Sequence, residues 1–221
     1  MDRRDFVFGL PLALGACVTD QPAAPGGAQR RIDPSYAALY GEVTTEPFPV
    51  PAVDVEAMDP RYLRREVRYR TAEQPGTVVV DPAERHAYLV MEGRRALRYG
   101  IGVGKEEAFN FRGAAIVARK AAWPRWTPTP NMIRREPDRY ARHAGGMEGG
   151  EGNPLGARAL YLYRDGRDTL YRLHGTVEPW TIGPMVSSGC VRFMNQDIID
   201  LYGRVPVGTR VVVLSAGEET S

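Results

Sequence analysis

Lysine is nearly absent from this 221-residue chain: Lys105 and Lys120 are the only two, and every other basic residue is an arginine or one of three histidines. Those histidines, His86, His143 and His174, lie far apart in sequence, and cysteine is as scarce, with Cys17 and Cys190 alone. Two cysteines exclude a disulfide-stapled framework. Without a CxxC pair or clustered His/Cys spacing, no metal site is expected, and no cofactor. The formal net charge is only +2, so no basic excess argues for nucleic acid as a partner. No apolar run approaches the roughly 20 residues of a membrane-crossing helix, and no internal repeat is present.

What remains is a chain of 43% hydrophobic and 25% charged residues with 24 Gly and 18 Pro, a globular composition. Its length allows one domain with tails, or two small ones, at roughly 100–200 residues per domain. A domain of about 150 residues buries roughly 70% of its unfolded surface, enough for a core without staples.

The amino terminus reads MDRRDFVFGLPLALGAC: a charged start, then an apolar run over Phe6–Ala16. That length suits the apolar segment of a signal peptide and is too short to span a bilayer. Arg3-Arg4 fits a twin-arginine signal and an ordinary Sec signal alike. Leu14-Gly15-Ala16-Cys17 resembles the lipobox of bacterial lipoproteins, which implies lipidation of Cys17, a membrane anchor and a periplasm-facing protein. By the same resemblance, Val18 after Cys17 points to the outer membrane in preference to the inner. Residues 1–16 are thus expected to be a signal peptide, 17–31 (Pro/Gly/Ala-rich) a flexible tether, and 32–75 an extended amino-terminal arm. Arg61–Arg70 fits a short helix or an edge strand equally.

From Thr77 the pattern is β. TVVVD, HAYLVM, RALRYGIGV, AAIVARKAA, ARALYLYR, TLYRLHG and VGTRVVVLS are short runs rich in β-branched and aromatic residues, divided by turn signals. Asp165-Gly166 predicts a hairpin. The regular spacing argues for a sandwich or barrel-like sheet over βαβ units. One segment has helical periodicity, with Ile198, Leu201, Tyr202 and Val205 on one side and Asn195 as expected N-cap. Residues 123–156 break the pattern with a Pro-rich aromatic stretch followed by a Gly-rich one, the composition of a lid or binding loop.

GIGVGK (100–105) fails the phosphate-loop pattern and reads as a strand end; Ser187 lacks the glycine of a nucleophile elbow. The chemistry-bearing stretch is HGTVEPWTIGPMVSSGCVRFMN, residues 174–195. A nucleophilic thiol needs a base and positive surroundings, and His174 at a strand end can meet Cys190 across adjacent strands. The Gly175 carbonyl can hold the imidazole tautomer, while the amides of Gly189 and Cys190 can form an oxyanion hole. A buried Cys and a core His explain the same spacing.

His174-Gly175, then Ser187-Ser188-Gly189-Cys190-Val191-Arg192 and Asn195, resembles the motif of the L,D-transpeptidase (YkuD-like) catalytic domain family, as does Asn153-Pro154-Leu155-Gly156. The family pattern places His before the motif glycine, where this chain has Ser188, which leaves His174 as the base. The resemblance implies a mostly β, sandwich-like domain over 76–216 with one or two short helices and a tail at 217–221. It implies Cys190 as nucleophile and His174 as general base and acid, acting on peptidoglycan tetrapeptide stems. The acyl group would pass to an amine, on another stem (a 3→3 crosslink) or on an outer-membrane protein; water instead would make a carboxypeptidase. Arg192, Ser188, Trp180 and Trp126 are the expected substrate-binding residues, with Arg192 alternatively in a structural ion pair. Tyr171, three residues before His174, should face the other side of a regular strand. A catalytically silent wall-binding lipoprotein and an amidase are the rival readings.

Overall fold

The computed structural model of the chain describes residues 32–104, 111–187 and 190–215. The expected signal peptide, the tether, Cys17 and the 217–221 tail lie outside the described residues, as do Ser188 and Gly189. Within them the β-rich runs form strands: β1 (Arg65–Arg68), β2 (Val78–Asp81), β3 (His86–Met91), β4 (Arg95–Gly104), β5 (Gly113–Ala122), β6 (Arg158–Arg164), β7 (Arg167–His174), β8 (Met185–Ser187), β9 (Val191–Phe193) and β10 (Arg210–Val213). From β4 the pairing runs through β3, β2, β10, β5, β6 and β7 to β9, and β9 pairs back onto β4. The mostly β, sandwich-like expectation thus takes the form of a sheet closed on itself, which leaves no long open edge. β1 and β8 are added along β4. Asp165 (φ 50°) and Gly166 (φ 74°) make the two-residue turn between Arg164 and Arg167, the hairpin the sequence predicts.

Alternation decides which side of each strand meets the core. In β4, Tyr99, Ile101 and Val103 point inward and are essentially inaccessible. Gly100 and Gly102 lie on the opposite side, where a Cβ would come within 2.3 Å of Tyr62 O and 2.5 Å of Thr181 O respectively. The missing side chains let two flanking segments lie flat on the strand. GIGVG is therefore the end of β4, as its sequence reads, and its glycine spacing is a packing device.

Helix α4 (Asn195–Arg204) caps the core with Ile198 and Leu201, and Val205 just beyond it, as its periodicity predicts. Its N-cap is Met194, not Asn195. Asn195 is already helical, and its side chain is used elsewhere. Three further helices are a turn or so long: α1 (Ser35–Leu39), α2 (Pro130–Arg135) and α3 (Pro137–Tyr140). They exceed the one or two expected because four to six residues are too few for a periodic signal. Proline starts both helices of the 123–156 stretch, and Thr129 caps α2 by accepting from Met132 N at 3.2 Å.

Residues 32–64 pack along the sheet. The Arg61–Arg70 run is both things its sequence allows, a 3-10 turn (Pro60–Tyr62) followed by edge strand β1. Tyr40, Tyr62, Leu63, Ile182 and Met194 form a second apolar cluster. The Tyr40 hydroxyl donates to Asp197 Oδ2 at 3.1 Å and accepts from Arg64 N at 2.6 Å. Burial pushes the Asp197 carboxyl up to about 7, against the pull of the Arg64 guanidinium. Gln196 Nε2 donates to the carbonyl of Pro51 at 2.9 Å, tying the start of α4 to this segment.

Candidate active site

β7 and β9 run parallel, with Leu173 opposite Val191 and His174 opposite Arg192. Leu173 and Val191 face the core. The two-residue alternation therefore turns Arg172, His174 and Arg192 to the other face, and Cys190 stands one residue before β9. Strand spacing of about 4.8 Å and a rise of about 3.3 Å per residue put the His174 and Cys190 Cα atoms about 8 Å apart.

His174 is buried, and its Nδ1–H donates to Gly175 O at 2.6 Å. A carbonyl only accepts, so the proton resides on Nδ1 and Nε2 keeps its lone pair. Burial, then the charge of Arg192, pushes the imidazole down to about 4, against backbone hydrogen bonding at Gly175 and Leu155. The ring is neutral at pH 7 and able to accept a proton. Leu155 comes from the Asn153-Pro154-Leu155-Gly156 segment, whose shape depends on Asn153. That buried amide donates to the carbonyls of Pro124 and Glu148, each at 3.0 Å, and its oxygen accepts from Leu155 N at 2.9 Å.

Asn195 is the post between the two loops. Its Oδ1 accepts from Ala157 N at 3.0 Å, and it would lie 2.2 Å from a Cβ at either Gly156 or Gly175. The glycine after His174 is thus needed for close approach, and the expected capping Asn instead locks the histidine turn to the Leu155 loop.

Cys190 carries a thiol at a partly exposed position, and its Sγ lies 3.9 Å from Leu170 O. Burial of the sulfur pushes the thiol up, while a hydrogen bond from the Arg172 backbone and the charges of Arg172 and Arg192 oppose this. Leu170 is in place because β7 bulges: Tyr161 pairs Arg172 and Tyr163 pairs Asp168, so 169–171 stand against Leu162 alone. Leu170 sits at φ 59°, an uncommon conformation for a bulky residue. Asp168 holds it, accepting from Leu170 N at 2.8 Å and gripping the Arg172 guanidinium at 2.7 and 2.8 Å. Tyr171 points into the core, as alternation predicts, and burial and the neighbouring Cys190 push its hydroxyl up.

The remaining expected residues fall in different places. Arg192 Nη1 lies 3.3 Å from Glu178 Oε2, an ion pair over the site. Trp180, in the 3-10 turn Pro179–Thr181, is 67% exposed. The Trp126 ring packs on Tyr140 and His143. Trp123 Nε1 donates to Glu46 at 3.0 Å, and Arg158 donates to the same carboxylate. Among the described residues no three His, Cys, Asp or Glu side chains cluster as metal ligands would.

Residues 75–213 match the L,D-transpeptidase catalytic domain family, YkuD. The chain belongs to that family. It is 38% identical over 141 residues to the probable L,D-transpeptidase ErfK/SrfK of Escherichia coli K12, covering 62% of this chain and 43% of that protein. It is 34% identical over 211 residues to the protein of the same name from Salmonella typhimurium LT2, covering 90% of this chain and 65% of that one. A Brucella melitensis structure described as a probable carnitine operon oxidoreductase shares 51% identity, covering 72% of this chain and 97% of that one at a TM-score of 0.49; the description is that protein's own. The chain spans 43% and 65% of the lengths of the two L,D-transpeptidase relatives. In this L,D-transpeptidase family member, sequence reasoning passed over Asp168, Leu170 and Arg172. The i,i+4 spacing of Asp168 and Arg172 is the one signal that marks them, and it is indistinguishable from a surface ion pair.

Proposed function

We propose that the chain is a cysteine L,D-transpeptidase acting on peptidoglycan tetrapeptide stems. The observation that carries this is His174 paired with Arg192, two residues from Cys190, the imidazole neutral and its Nδ1 proton committed to Gly175 O. The Cys190 thiol gives its proton to His174 Nε2 as the sulfur attacks the carbonyl of the third stem residue. The C–N bond to the terminal D-Ala breaks, its amine takes the proton from His174, and a thioester remains. An acceptor amine then attacks that carbonyl, passes a proton to His174, and the C–S bond breaks to regenerate the thiol. Arg172 and Arg192 stabilise negative charge on the sulfur, and the amides of Gly189 and Cys190 receive the developing oxyanion. Ser188 stands where the family pattern often has His, which leaves His174 as the base.

The acceptor is an amine on a second stem or on an outer-membrane protein. The lipobox-like Leu14–Cys17 supports lipidation at Cys17 and anchoring, at the outer membrane, facing the periplasm. Incubation with disaccharide-tetrapeptide and separation of the products tests the reaction: released D-Ala with 3→3 dimers is the expected result. D-Ala with tripeptide and no dimer would make the chain a carboxypeptidase. No turnover by folded protein would support a silent wall-binding role.

A further inference from the structure

A cleft of about 550 Å³ lies between residues 53–62 and the 179–184 segment, away from the thiol. Its size is that of a small-molecule site. One wall is Trp180, whose indole is 67% exposed. Facing it are Tyr62, Asp54, Asp59, Arg61 and Arg85. These groups are held in place. Arg61 Nε is 2.9 Å from Asp59 Oδ2, and its guanidinium stacks 4.8 Å over the Tyr62 ring. Asp54 Oδ1 accepts from Glu56 N at 3.1 Å. Arg85 sits at φ 58°, fixed by its carbonyl accepting from Ile101 N at 3.0 Å. A broad aromatic face opposite planar carboxylates and guanidiniums is the chemistry that binds a sugar: its C–H face lies on the indole and its hydroxyls bond to the polar groups.

The distance to the thiol is the second argument. Tyr62 covers Gly100 of β4 and Thr181 covers Gly102, while Arg192 pairs with Gly102 on the same face. Cys190, two residues before Arg192, is therefore level with Gly104. Four residues of β4 separate that level from Tyr62, about 13 Å at the rise of a strand. In a tetrapeptide stem, three residues separate the attacked carbonyl from the sugar-bearing end, a span of roughly 10 Å when extended.

We infer that this cleft is a subsite for the amino-sugar disaccharide at the amino end of the donor stem, an inference that rests on the stem-donor reading above. With the glycan on Trp180 and the scissile bond at Cys190, residues 53–62 are part of the substrate site.

The sugar alone provides a readout that needs no turnover. The full chain carrying Cys190→Ala is titrated with the peptide-free N-acetylglucosamine–N-acetylmuramic acid disaccharide while tryptophan fluorescence is followed. A saturable change that disappears when Trp180→Ala is added, and weakens with Arg85→Ala, is expected. No change up to the solubility of the sugar, or one that survives Trp180→Ala, overturns the inference. With the active chain, the KM for disaccharide-tetrapeptide should be about tenfold below that for the sugar-free tetrapeptide, a difference near 1.4 kcal/mol. Trp180→Ala should collapse that ratio towards one; equal KM values in the unsubstituted chain overturn the subsite. If neither donor acylates Cys190, the donor reading fails, and the sugar titration still decides whether the cleft binds glycan.

Discussion

The two faces of β4 differ in what they carry. Inward, Tyr99, Ile101 and Val103 fill the core with large side chains, so this face is set by volume. Outward, Gly100 and Gly102 carry none, so this face is set by how closely Tyr62 and Thr181 can approach. The inner face holds the sheet closed. The outer face makes room for the segments that frame Cys190. Stability and function are therefore separable along one strand, position by alternate position.

Ile101→Ala should cost about 2–5 kcal/mol in urea unfolding, since a fully buried side chain leaves a cavity. Gly102→Ala should cost about 1–3 kcal/mol, because its Cβ would meet the Thr181 carbonyl oxygen at 2.5 Å and the outer segment must shift. It should nonetheless depress acylation more than Ile101→Ala does, when both are assayed well below their melting temperatures. The reverse ranking in acylation would break the distinction between the faces.

His174 sharpens it from the functional side. Its folded value near 4 lies below the ordinary histidine value, so the unfolded chain binds the extra proton first. The sign follows: stability is complete above about pH 6.5 and falls on acidification, by about 3 kcal/mol by pH 4. His174→Gln should flatten that part of the acid limb of the denaturation curve, and an unchanged limb would mean the imidazole is not buried neutral. Acylation by a carbapenem should stay flat from pH 6 to 9, because neutral His174 takes the proton of the raised Cys190 thiol in the attacking step. A rate that climbs about tenfold per pH unit over that range would mean that free thiolate attacks without His174. Trp180→Ala should move stability least, within about 0.5 kcal/mol, since the indole is exposed.

The contrast also explains what was legible in the sequence. Alternation and turn chemistry are local, so the strands, the Asp165-Gly166 hairpin and the apolar stripe of α4 stand out. Closure of the sheet through β9 and β4 depends on a two-residue pairing with no local signature. The His174–Gly175 and Cys190–Arg192 elements are legible as a motif, and the carbonyl bond to Nδ1 lies where the residue order suggests. Asn195 looks like a helix cap because Asn commonly is one; only the approach of Gly156 and Gly175 shows its oxygen turned away to Ala157 N. The Leu170 bulge is hidden for a related reason: a register shift between β6 and β7 is a property of two strands, not of either alone. Residues 53–62 gain their place in the cleft from contacts distant in sequence.

The central claim is that Cys190 accepts the acyl group. Its most direct test is the intact mass of the full chain after brief incubation with disaccharide-tetrapeptide, followed by peptide mapping. The account predicts an adduct equal to the donor less D-Ala, located at Cys190 and absent from Cys190→Ala. Folded protein that forms no adduct, or an adduct that persists in Cys190→Ala, would contradict it.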